Sequence, residues 1–278
     1  MPYTAHAKGS LMLVRIASAL VLIPGVLALL FFAPPRVLLI TIGIVGTLSL
    51  REYFHLIDKI GLRGQPWFGF VAFWSILVGL QERYLSAAAI LAAVVLACFI
   101  TAMWRRDPMR ERVIGMMANL FGVLYLALCL YPVMPLRYDF GEKTGLHWIV
   151  LLLAVIWVGD TSALLAGRSF GRTLFAPGLS PKKTNEGAVA GLLSGLAAAV
   201  LLQRFFFVEL PLYHVIMLSL LLGMVGQLGD LGESLLKRAA DVKDSSSLLP
   251  GHGGMLDRID SLLFAIPVLY IYLLRLYD

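Results

Sequence analysis

The sequence predicts an all-α fold: a polytopic integral membrane protein of about nine transmembrane helices. Three observations predict it. The 278 residues are 59% hydrophobic and only 14% charged, whereas a soluble domain carries about 25% charged side chains. Apolar runs near the length that a bilayer core demands, about 20 residues, recur along the whole chain. Lys and Arg are distributed unevenly between the connections that join those runs.

The runs fall at 11–33, 37–56, 66–80, 85–104, 113–136, 147–167, 187–206, 212–236 and 260–276. The first is longer than the apolar core of a signal peptide and lacks a small-x-small cleavage site. It is therefore expected to stay as a membrane helix. The third is the shortest. With nine spans, the N-terminal tail shares one side with the second, fourth, sixth and eighth connections. Seventeen of the 23 Lys and Arg lie on that side and six on the other, which assigns the richer side to the cytoplasm. Dropping the third run would scramble this bias. The net charge of +6 is thus read as cytoplasmic loop charge and not as a nucleic-acid footprint. Cys98 and Cys129 sit inside apolar runs without a CxxC spacing and read as small buried hydrophobes. No internal repeat, low-complexity tract or soluble domain interrupts the chain. Residues 1–140 read as generic membrane helices, a scaffold or a source of dimer contacts. Residues 141–278 read as the catalytic membrane domain with its cytoplasmic loops.

Two long polar stretches face the cytoplasm in this arrangement: "WVGDTSALLAGRSFGRTLFAPGLSPKKTNEG" (157–187) and "GQLGDLGESLLKRAADVKDSSSLLPGHGGMLDRIDS" (226–261). Asp230 has apolar flanks on both sides. A carboxylate at membrane depth is costly, so it is a functional-site candidate by default. Asp230, Ser234, Lys237 and Asp241 follow i, i+4, i+7, i+11 and share a helix face. Asp160 repeats the pattern in the sixth run, where a polar helix–helix contact is the competing explanation. Asp257 and Asp260 are one helical turn apart. With Asp230 they offer three hard oxygen ligands, which suits Mg²⁺; soft metals are disfavoured, since His252 is the only histidine in either stretch. Gly251, Gly253 and Gly254 precede a helix start, where backbone N–H groups can bind phosphate, although a tight connection would also want glycine. Lys182 and Lys183 are either ordinary positive-inside charge or, with Lys237, Arg238, Lys243 and Arg258, a cationic cage for a polyphosphate.

The run "SLLKRAADVKDSSSLLPGHGGMLDRID" (234–260) resembles the signature of the phosphatidate cytidylyltransferases, also called CDP-diacylglycerol synthases. Ser234, Lys237, Arg238, Lys243, Asp244, His252, Gly253, Gly254, Asp257, Arg258 and Asp260 stand at its fixed positions. The 157–187 stretch resembles the family's second block, with a departure at Asn185, where an aromatic or aliphatic residue is expected. The resemblance covers about 157–261. It implies transfer of CMP from CTP to phosphatidic acid, with CDP-diacylglycerol and pyrophosphate as products. It also implies one or two Mg²⁺ sites (a monovalent cation beside them being admitted), a homodimer, and an active site facing the cytoplasm from the inner membrane. On this reading the catalytic group is Asp230, Lys237, Arg238, His252, Asp257 and Arg258. Asp230, Asp257 and Asp260 are the metal ligands. Asp160, Ser180, Lys182, Lys183, Ser234, Lys243, Asp244, Gly253 and Gly254 contact substrate. His252 reads as a loop-orienting or phosphate-contacting group, because a phosphate nucleophile is already ionised near pH 7 and needs no base.

Two rival classes are weighed against this. A CTP-dependent lipid-alcohol kinase would need a base for its hydroxyl nucleophile, and the complete 234–260 run argues against it. A transporter would use Asp160 and Asp230 as midplane ion sites, but the acidic residues cluster toward one face and no broken-helix pair repeats.

Overall fold

A computed structural model describes residues 20–83, 85–141, 143–248 and 253–277. Ten helices and one hairpin follow in order: α1 (Leu20–Phe32), α2 (Pro35–Lys59), α3 (Pro66–Glu82), α4 (Ala87–Met103), α5 (Met109–Leu130), α6 (Val133–Tyr138), α7 (Thr144–Phe170), β1 (Leu174–Ala176), β2 (Ser180–Thr184), α8 (Asn185–Phe205), α9 (Leu212–Ala239) and α10 (Leu256–Tyr277). The described part of each predicted run lands on a helix. Among the described residues, six helices are long and apolar enough to cross a membrane: α2, α5 continued through α6, α7, α8, α9 and α10. Six of the nine expected spans therefore meet that length and composition; α3 and α4, with 17 residues each, and Leu20–Phe32, the described part of the first run, fall below it, so the count of nine is neither reached nor excluded.

Local chemistry sets the helix starts. Pro35 and Pro66 open α2 and α3, where the missing N–H is harmless. The Ser86 hydroxyl accepts the Ala89 N–H at the start of α4 (3.2 Å), and the Thr184 hydroxyl accepts that of Gly187 at the start of α8 (3.2 Å), each filling one orphan donor. Pro132 separates α5 from α6. Pro267 lies inside α10, a placement tolerated where neighbouring helices re-satisfy the backbone.

Contacts at the helix ends show α2 to α10, with α5 and α6 taken as one span, running alternately up and down. At one end, Arg105 donates to the Arg63 carbonyl (2.8 Å), joining the α2–α3 and α4–α5 connections. The same Arg105 bonds Asp107 and so holds that carboxyl below its ordinary range. At the other end, Arg83 pairs with Asp139 (2.6 Å), His147 pairs with Glu209, and the Trp148 indole meets the Tyr277 hydroxyl (3.3 Å). The interior is apolar: Leu50 and Leu56 of α2, Phe73 and Ile76 of α3, Trp148 and Leu151 of α7 and Leu263 and Leu269 of α10 are fully buried. α7 lies along α8, and α9 packs between α8 and α10. The α7–α8 approach requires glycine. A Cβ on Gly191 would sit 2.9 Å from the Gly159 carbonyl oxygen and 3.1 Å from the Ala163 methyl.

One element departs from the all-α expectation. β1 and β2 pair antiparallel, Leu174 with Thr184 and Ala176 with Ser180. The Glu186 carboxylate gathers the Arg172 N–H (3.1 Å), the Thr173 N–H (3.3 Å) and the Thr173 hydroxyl (2.9 Å). Asn185, the departure noted in the sequence, adds a side-chain bond to the Thr173 hydroxyl (3.1 Å). The hairpin is thereby tied to the first turn of α8.

Candidate active site

The end of α7, the hairpin, the end of α9 and the start of α10 enclose a cavity of about 690 Å³, within the range of small-molecule sites. α7 contributes Asp160, Leu164 and Arg168; the hairpin contributes Leu174, Phe175, Lys182 and Lys183; α9 contributes Gln227, Asp230 and Lys237; Asp244 and the α10 residues Asp257, Arg258 and Asp260 complete the polar wall. Asp160 lies roughly 15 Å, and Asp230 roughly 13 Å, along the axis from the ends of their helices at 1.5 Å per residue. The cavity thus runs from the loops into the depth of the bundle.

The charges are partly spent on one another. Lys183 pairs with Asp230. Lys237 sits between two carboxylates, bonding Glu233 and, at 2.6 Å, Asp257 Oδ1. It was expected to hold phosphate; here its single positive charge is shared between two carboxylates. Arg168, Lys182 and Arg258 line the cavity and enter no salt bridge within 4.0 Å among the described residues. These three are the cations available to an incoming polyphosphate. Arg168 was not among the residues singled out from the sequence.

Asp257 Oδ2 accepts the Ser245 N–H (2.9 Å) and the Gly254 N–H (2.7 Å) and lies 2.8 Å from the Ser245 hydroxyl. Among the described residues, Oδ1 carries only Lys237 and keeps lone-pair capacity. The Gly254, Met255 and Leu256 N–H groups are taken by Asp257 and Glu52. The glycine segment was expected to offer backbone donors to phosphate; at these positions the bound anions are the protein's own carboxylates. Gly253 has φ +82°, a conformation that favours glycine. Glycine at 254 leaves room for the Ser245 hydroxyl and Glu52, onto which a Cβ would fall.

Several expected residues lie off the cavity wall. Arg238 donates instead to the Leu179 and Val242 carbonyls (3.2 Å each), clamping the hairpin turn to the end of α9. Ser234 is buried, Lys243 is exposed and Ser180 is half-buried. Neither these nor Gly253 and Gly254 line the cavity. His252 and Gly251 lie outside the described residues.

Among the described residues no three His, Cys, Asp or Glu side chains form a ready cation cage. Mg²⁺ does not need one. It binds one or two carboxylates and completes its shell with water and substrate phosphate. Asp160, Asp230 and Asp260, all oxygen donors on one cavity, fit that chemistry.

Comparison with known proteins agrees with this chemistry. The Cytidylyltransferase family matches residues 13–276. A Bacillus subtilis (strain 168) protein named phosphatidate cytidylyltransferase is 34% identical over 246 residues, covering 86% of this chain and 89% of its own. Proteins of the same name from Staphylococcus saprophyticus and Staphylococcus haemolyticus are 39% and 38% identical over 163 residues, 57% of this chain and 63% of theirs. The chain belongs to the cytidylyltransferase family.

Proposed function

We propose that the cavity is where CTP meets phosphatidate. The reaction is transfer of CMP from CTP to phosphatidate, giving CDP-diacylglycerol and pyrophosphate. The observation that supports this placement is the composition of one wall system: acidic side chains, three uncommitted cations and an apolar edge around a single space. Leu164 and Leu174 are half exposed there, so acyl chains can remain in lipid while the phosphate enters.

An oxygen of the lipid phosphate attacks the α-phosphorus of CTP in line, and pyrophosphate leaves. Both reactants are anionic, so the protein's task is positioning and charge neutralisation. Lys182 and Arg168, on the cavity wall, would hold the triphosphate and Arg258 the lipid phosphate. No protein base is required, because the second phosphate ionisation lies near pH 6. A divalent cation held by Asp230 and Asp260, with Asp160 or Asp257 Oδ1 completing the set, would draw charge from the phosphate oxygens. A monovalent cation and a homodimer belong to the same proposal on the resemblance alone. The charged end faces the cytoplasm, where CTP is made, with the chain multi-pass in the inner membrane.

The test is turnover by the purified protein with labelled CTP, phosphatidate and Mg²⁺. A lipid carrying the cytidine label is expected. A phosphorylated alcohol would assign a kinase instead, and no turnover in defined liposomes would remove the catalytic reading.

A further inference from the structure

Glu52 stands in α2, in the half of the chain that reads as scaffold, and it is 4% exposed. Its carboxylate meets four hydrogen-bond donors from the far part of the sequence. Oε1 takes the Ser246 hydroxyl (2.6 Å) and the Met255 N–H (2.9 Å). Oε2 takes the Leu256 N–H (2.7 Å) and lies 2.9 Å from the Ser245 hydroxyl. A carboxylate has about four lone-pair sites, so this one is filled whenever Ser245 donates to it. Two of its donors are orphan N–H groups at the start of α10, where a negative charge also meets the favourable end of the helix dipole.

The network continues into the cavity wall. The Ser245 hydroxyl also lies 2.8 Å from Asp257 Oδ2. It has one proton, so it serves one carboxylate at a time, and its oxygen bridges the two acids. Asp257 then holds Lys237 (2.6 Å). Glu52 itself does not line the cavity; it reaches the site only through Ser245, Ser246 and the first turn of α10.

We propose that Glu52 is a positioning residue for cytidylyl transfer. It fixes residues 245–246 and the start of α10 together, so that Asp257, Lys237 and Arg258 present one arrangement to the substrates. α2 is then part of the active-site machinery. The chemistry of the clamp requires a carboxylate: a Gln amide would turn an NH₂ group toward O–H and N–H donors and leave buried donors unpaired. Asp, one methylene shorter, keeps the charge and acceptor set.

The inference rests on the cavity being the reaction site, and the experiment separates the two. Full-length Glu52→Gln, Glu52→Asp, Ser246→Ala and Asp230→Asn proteins are assayed with labelled CTP and phosphatidate, with the thermal midpoint of each measured in parallel. For Glu52→Gln, kcat is expected to fall about 10- to 100-fold while KM for CTP stays within about threefold. Glu52→Asp is expected to recover part of kcat. A Glu52→Gln enzyme within about twofold of the parent kcat per folded molecule would overturn the proposal, whatever its midpoint. If Glu52→Gln does not fold, Ser246→Ala carries the test, since it removes only the bond to Glu52 and the one accepted from the Leu248 N–H (3.1 Å): a lower kcat at an unchanged midpoint supports positioning, and an unchanged kcat overturns it. Asp230→Asn reports on the cavity alone. If it keeps turnover, the cavity assignment fails independently of Glu52; if it loses turnover while Glu52→Gln does not, only the Glu52 proposal fails.

Discussion

Asp230 shows how a single residue carries both legibility and chemistry. Its carboxylate lies deep in an apolar helix with Lys183 as its partner, and the pair is only partly covered, at 28% and 30% side-chain exposure. Such a pair adds little to stability, so its retention at membrane depth calls for another use. Asp230→Asn is nearly isosteric but removes the charge. Turnover is expected to fall by about 100-fold or more with the protein still monodisperse in detergent. Near-normal turnover at limiting Mg²⁺ would exclude it as a cation ligand. Gly254→Ala makes a different case. Its Cβ would press on Ser245 and Glu52, and the Gly254 N–H is already given to Asp257 (2.7 Å). The expected outcome is a lower kcat with little change in KM for CTP. A raised KM at unchanged kcat would instead return the segment to phosphate binding. Asp160, Asp230, Asp257 and Asp260 were legible because a carboxylate inside or beside an apolar run stands out. Glu52 carried the same signal in "LREYFHL" but was passed over. Its partners, Ser245 and Ser246, lie more than 190 residues away, and nothing local announces them.

At the scale of elements, hydrophobic length was the readable quantity. The ends of α7 to α10 fall within a few residues of the runs at 147–167, 187–206, 212–236 and 260–276. The hairpin was not readable: "SPKKT" has no alternation, and β1 has three residues. It exists because Glu186 and Asn185 gather Arg172 and Thr173 onto the start of α8, a tertiary cause invisible to periodicity. The glycine spacing in α8 was equally silent until α7 was seen against it. Gly191→Leu should force these helices apart, since its side chain has only the Gly159 carbonyl and Ala163 to enter. Overpacking of this kind costs roughly 1–3 kcal/mol. A lowered thermal midpoint in detergent is expected, together with weakened activity, because Asp160 on α7 and the hairpin ahead of α8 share the cavity. An unchanged midpoint would mean that α7 and α8 do not meet at Gly159.

For the whole molecule, the decisive property is polarity. One end gathers the α2–α3 and α4–α5 connections, the hairpin and the α9–α10 segment; the opposite end gathers the remaining connections and Tyr277. The cavity opens at the first of these, which is also the end carrying most of the Lys and Arg. Positive charge beside the membrane marks the cytoplasmic side, and CTP, too highly charged to cross a bilayer unaided, is available there. Chemistry and topology therefore make the same demand, and a single measurement can break their agreement. Cys98 and Cys129 are replaced by Ala, and one new cysteine is placed at Ser247 or at Val208, both exposed and at opposite ends of α9. In intact cells a membrane-impermeant maleimide should label Val208→Cys and miss Ser247→Cys until the membrane is opened. Labelling of Ser247→Cys from outside would invert the molecule, and the proposed cytoplasmic CTP site would fall with it.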